Sequence, residues 1–137
     1  MKFIDGLVVS PPENSFIVHS LPDNMPWLPV NDFASGDGFD KIKSALTHFD
    51  PDIFYVFNFQ TWPALISRIR KSFPGKKIIY DIQTPLLADG EKRKNIQAQG
   101  RKAADHLDAI ATLSRDSVYT WIPDLKSRFM NIHWALI

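Results

Sequence analysis

The stretch DIFYVFNFQTWPALISRIRKSFPGKKIIYDIQTP, residues 52–85, decides the fold. Ile53-Phe54-Tyr55-Val56-Phe57 is an unbroken apolar run, too short for a typical helix and rich in aromatic and branched side chains. That is the composition of a parallel strand covered on both faces. Ile78-Ile79-Tyr80 opens a second such run. Between them Trp62, Leu65, Ile66, Ile69 and Phe73 recur at helical spacings, which places them on one apolar helix face. Asn58-Phe59-Gln60-Thr61 and Pro74-Gly75 supply the turns. The stretch is therefore a βαβ unit, and in open α/β sheets ligands bind outside the carboxyl ends of the strands. Asn58, Gln60, Asp81 and Gln83 stand at those two ends.

Downstream, Leu86–Gly90 reads as a loop and Glu91–Leu107 as a long basic surface helix, its inner face a thin row of Ile96, Ala103 and Leu107. Ala109–Leu113 is a short buried strand, and Ser114 caps a helix that carries Val118 and Ile122 and ends at Pro123. Asn131–Ile137 is a last strand. Upstream, Phe39, Ile42, Leu46 and Phe49 form the buried stripe of a helix that starts at about Asp37 or Asp40 and is stopped by Pro51. Pro22–Gly38 is an irregular loop pinned by Trp27 and Leu28, and Phe3–Ser10 and Ser15–Leu21 form a β-hairpin-like pair across Pro11-Pro12-Glu13-Asn14. Strands alternating with helices from residue 40 onward predict an α/β class chain. It reads as a single Rossmann-like, three-layer domain over residues 1–137, with a mostly parallel sheet and right-handed crossovers. Ending on an apolar run, the chain reads as the N-terminal half of a longer, two-domain protein.

Composition limits the function classes. With 137 residues, 45% hydrophobic and 12% aromatic, the chain is long enough for a core of its own. It has no cysteine, so a disulfide framework, a thiol nucleophile and a cysteine-ligated zinc site are all excluded. His19, His48, His106 and His133 stand at no metal-ligand spacing, and no metal site is expected. No Walker, dinucleotide-glycine or nucleophile-elbow pattern occurs. No apolar run reaches a membrane-spanning length, and the expected location is cytoplasmic, with peripheral membrane contact as an option. The net charge of +1 hides an asymmetry: residues 1–60 carry −5, residues 61–102 carry +7 and residues 103–137 carry −1. Within the basic band, Lys92, Arg93, Lys94, Arg101 and Lys102 form an anion or membrane surface, or else a solvated helix face. Aromatic residues do not interleave with the band as in a single-strand platform, so nucleic acid is not an expected partner.

Three segments in order, PDIFYVFNFQTWPAL at 51–65, KKIIYDIQTP at 76–85 and DAIATLS at 108–114, resemble the N-terminal domain of GT-B fold glycosyltransferases, family 4 in particular. The resemblance covers roughly residues 40–137. It implies an acceptor-side domain facing a second domain that binds a nucleotide sugar, with transfer of the sugar to a glycan or lipid-linked acceptor in the cleft between them. No cofactor beyond the nucleotide-sugar substrate is implied. The implied cleft positions are Asn58, Gln60, Asp81, Gln83 and Ser114. Gln83 departs from the family pattern, which has a histidine at this corner, and an amide cannot carry a titratable proton. The glycine-rich first turn of the family is absent, and the only glutamates are Glu13 and Glu91, so the paired glutamates of the donor domain are not in this chain. No catalytic residue is assigned, and the chain alone is expected not to transfer sugar.

The residues also have plainer readings. Asp81 suits a sugar hydroxyl and equally a loop-backbone cap, while Asn58 and Gln60 suit a polyol and equally a turn. Ser114 reads first as a helix cap. A different class of function stays open beside the transferase: a non-catalytic Rossmann-like binding domain that holds its partner through the basic helix.

Overall fold

The computed structural model describes residues 8–10, 27–29, 36–57, 62–126 and 133–136. The chain divides into two compact units, Met1–Pro51 and Asp52–Ile137.

In the N-terminal unit, β1 (Val8–Ser10) pairs in parallel with β2 (Trp27–Pro29), Val8 opposite Trp27 and Ser10 opposite Pro29. The expected hairpin partner Ser15–Leu21 lies outside the described residues. The pairing found uses a three-residue strand inside the segment expected to be irregular, a length at which β periodicity leaves no trace. Helix α1 (Gly36–Phe49) buries Phe39, Ile42 and Leu46, the predicted stripe, with Phe49 half-buried. Its end is a left-handed residue. Asp50 has φ 52°, its N–H donates to Leu46 O at 2.8 Å, and Pro51 cannot continue the ladder.

The C-terminal unit is a Rossmann-like α/β arrangement. Strands β3 (Ile53–Phe57), β4 (Lys77–Asp81), β5 (Ala109–Thr112) and β6 (His133–Leu136) form one parallel sheet in the order β3-β4-β5-β6. They are linked by α2 (Trp62–Ser72), α3 (Gly90–Ala104) and α4 (Arg115–Trp121), the last followed by a short 3-10 turn at Pro123–Lys126. Register sorts the side chains. Phe54 faces Ile78, Val56 faces Tyr80, and Tyr80 faces Ile110. All of these are buried. The Phe54 and Phe73 rings pack 5.2 Å apart just beyond α2, which marks this as the helix-covered face. Helix α3 packs against both α2 and α4, so the three helices lie side by side. The core beneath them is formed by Ile66, Ile78, Tyr80, Ile110, Val118 and Ile122, all fully buried.

The small inner face of α3 brings it close. Gly100, Ala103 and Ala104 are its buried residues, and Ile96 is half-buried. Leu107 is buried too, but in the turn after the helix rather than on it.

The second sheet face differs from expectation. Ile53, Tyr55 and Phe57 are all more than half exposed, so β3 is covered on one face only. Among the described residues β3 stands at an edge of the sheet, paired with β4 alone.

Candidate functional site

Asp81 closes β4 on the face it shares with Tyr55 and Phe57, opposite Phe57 in register, and is 2% exposed. Both of its carboxylate oxygens accept a hydrogen bond. The Tyr55 hydroxyl donates to Oδ2 from the neighbouring strand, and Gln83 Nε2 donates to Oδ1 from two residues on. Gln83 reaches the same side because the chain stays extended past the strand end. The Ile82 N–H continues the ladder to Ala111 O at 2.9 Å, and alternation returns residue 83 to the face of residue 81. Burial, then the hydrogen bond to Asp81, then the Asp81 charge push the Tyr55 hydroxyl up to about 12. Tyr80, buried on the opposite face, is raised further by burial and then by the same carboxylate charge.

The corner after Asp81 is pinned from behind. Thr112, fully buried at the end of β5, has its hydroxyl 2.7 Å from Ile82 O. The Trp121 indole N–H donates to Thr84 O at 2.8 Å, and the Leu86 N–H donates to Thr120 Oγ1 at 2.7 Å. Gln97 Nε2 donates to Thr120 O at 2.8 Å, joining α3 to α4. Arg93 Nη1 lies 3.3 Å from both Leu86 O and Ala88 O. A loop whose carbonyls and amides are bonded at this density holds Gln83 in one place.

Of the predicted ligand positions, Asp81 and Gln83 come together in direct contact. Asn58 and Gln60 lie outside the described residues. Ser114 occupies the N-cap position of α4 with extended backbone, φ −149° and ψ 124°, but its side chain makes no capping bond. Its N–H donates instead to Thr112 Oγ1 at 3.0 Å, because that hydroxyl is already fixed beside the strand end. Ser114 thus joins the corner indirectly, through Thr112 and Ile82.

The basic set is divided. Arg93 serves the loop carbonyls, Arg101 Nε pairs with Asp124 Oδ2 at 3.0 Å, and Lys94 Nζ pairs with Glu91 Oε1 at 3.1 Å. Lys92 and Lys102 are exposed and form no ion pair among the described residues. Two further members of the band are structural. Arg70 and Lys77 both pair with Asp108, at the amino-terminal end of the sheet, away from Asp81.

Tyr55 and Phe57 are site residues that strand composition did not single out. An all-apolar run carries no mark of which alternate residues face solvent, and the proximity of Tyr55 to Asp81 follows only from strand register. The signal available was parity: residues 53, 55 and 57 share a face, and so do 77, 79 and 81.

No family model matches the chain, and no curated protein matches it. No helix among the described residues is long and apolar enough to cross a membrane.

Proposed function

We propose that the chain is the acceptor-side domain of a GT-B type glycosyltransferase, binding a hydroxyl-rich acceptor at the carboxyl edge of its parallel sheet. The observation that carries this reading is the buried Asp81 carboxylate with Gln83 locked against it, at the strand-end corner where α/β sheets bind ligands. The order and spacing of the three strand-end segments add the family resemblance. In this reading the domain positions the acceptor, the nucleotide sugar is held by a second domain, and rate comes from orientation and electrostatic complementarity. The glutamates of the chain, Glu13 and Glu91, do not form the donor-binding pair that the resemblance requires.

Titration of the isotope-labelled chain with saccharides tests this. The amides of residues 80–84 should shift on addition of a saccharide, and the chain alone should release no nucleotide from a nucleotide sugar. Saccharides that leave those amides unmoved, or nucleotide release by the chain alone, would count against it.

The second reading, a non-catalytic binding domain that uses its basic helix, is favoured by Lys92 and Lys102, which stand exposed on α3 with no ion pair among the described residues. Their charge reversal is the separating experiment and is taken up below.

A further inference from the structure

Hydrogen-bond donors have direction, and at the Asp81 corner the directions are already committed. Tyr55 uses its one hydroxyl proton on Asp81, and Gln83 uses an amide N–H on the same carboxylate. A carboxylate that accepts on both oxygens has nothing to donate. What remains for a ligand is chiefly acceptor capacity, at the phenolic oxygen of Tyr55 and Oε1 of Gln83, beside the second N–H of the Gln83 amide.

Charge points the same way. Asp81 is almost wholly buried, its two hydrogen bonds come from neutral groups, and it forms no ion pair among the described residues. A buried carboxylate without a cation is a costly arrangement that a positively charged group would relieve. Shape adds a third observation. Phe57 is the register neighbour of Asp81, Tyr55 lies two residues before it on the same face, and both residues are 54% exposed. Exposed aromatic rings beside a carboxylate attract cations through the ring quadrupole.

We propose that this corner binds a protonated amine, its N–H groups directed at the Tyr55 oxygen and Gln83 Oε1, its charge compensated by Asp81 beneath and its flank against the Tyr55 and Phe57 rings. The amine itself stands on the geometry above. Only the remainder of the ligand rests on the saccharide reading, and together they give the ligand class as an amino sugar. An anionic group at the same corner meets a like charge and no free hydroxyl donor from Tyr55.

The test is a titration of the full isotope-labelled chain, following the amides of residues 80–84, with glucosamine, glucose and glucuronate at a mildly acidic pH that keeps the amine protonated. Glucosamine should bind about tenfold more tightly than glucose, the scale of one well-formed cation–aromatic and charge contact, and glucuronate should not bind. Asp81→Asn should remove the preference for the amine. Should that variant fail to fold, Phe57→Leu, at an exposed position, should still reduce the preference by roughly threefold. Equal affinity for glucose and glucosamine would overturn the amine site and leave the saccharide reading standing. Shifts with methylammonium but with neither sugar would uphold the amine site and remove the saccharide reading. No shift with either glucosamine or methylammonium would overturn the amine site.

Discussion

Arg70 Nη2 donates to Asp108 Oδ2 at 2.7 Å, tying the end of α2 to the residue that precedes β5. The same guanidinium reaches His106 O from Nε at 3.2 Å and from Nη2 at 2.7 Å, and Lys76 O from Nη1 at 2.8 Å. One planar fork therefore joins the two turns at the amino-terminal end of the sheet. Arg70→Ala should cost about 2 kcal/mol in urea unfolding, since it leaves a carboxylate and several carbonyls unpaired. Arg70→Lys should recover only part of the loss, because an ammonium cannot replace a fork.

The partner of Arg70 makes a pH prediction. Burial pushes the Asp108 carboxyl up, but the Ile78 N–H at 2.9 Å, the hydrogen bonds from Arg70 and Lys77 and the Arg70 charge outweigh it and hold Asp108 below the usual carboxylate range. A depressed folded value means that the unfolded chain takes up the proton first. Stability from this group is complete above about pH 4 and is lost as pH falls through the lower folded value. Urea midpoints measured from neutral pH downward should fall less steeply below about pH 4 in Asp108→Asn than in the wild type.

Tyr55 titrates at the opposite end of the scale. Its folded value of about 12 lies above the ordinary one, so its contribution is intact below about pH 10 and disappears as pH rises through the folded value. In Asp81→Asn the tyrosinate absorbance of Tyr55 should appear at lower pH, yet still above the ordinary value, because burial is the largest cause of the shift and remains. An unchanged titration would mean that Asp81 does not govern this hydroxyl.

The close seat of α3 predicts intolerance to volume. Ala103 and Ala104 are both fully buried, so Ala104→Leu should destabilise the fold by about 1–3 kcal/mol through overpacking, measured as a fall in Tm. A change at an exposed position of the same helix, Ala98→Leu, should stay within about 0.5 kcal/mol of the wild type.

For the basic helix, Lys92→Glu with Lys102→Glu should leave thermal stability near that of the wild type, as both side chains are exposed. If the binding-domain reading holds, the double variant should no longer sediment with anionic vesicles. Vesicle binding equal to that of the wild type would rule that reading out.

Helical periodicity located α2, because Leu65, Ile66 and Ile69 mark one face whatever the sheet order, and short apolar runs located the strands beside it. Sidedness was less legible. Phe54 and Tyr55 are both aromatic, yet one is buried and the other exposed, because successive residues of β3 point to opposite faces and an apolar run does not mark which face is covered. Within the site, Asp81 and Gln83 could be read together because they are two residues apart in an extended segment. The Tyr55 hydroxyl could not, since it reaches the carboxylate only after two strands are in register. Ser114 shows the limit of capping rules: the residue stands in the right position, but a buried threonine has already organised the backbone around it.

The strand order β3-β4-β5-β6 has a consequence for how the site is completed. A sheet wound in a single direction never reverses, and it is at a reversal that neighbouring loops splay apart to leave a crevice. Among the described residues β3 is paired on one edge only, and Asp81 sits on the very next strand. Any strands that joined at the open edge with helices on the other side would create such a reversal beside β3, one strand away from the carboxylate. Assembly and ligand binding would then be thermodynamically linked, each strengthening the other by mass action.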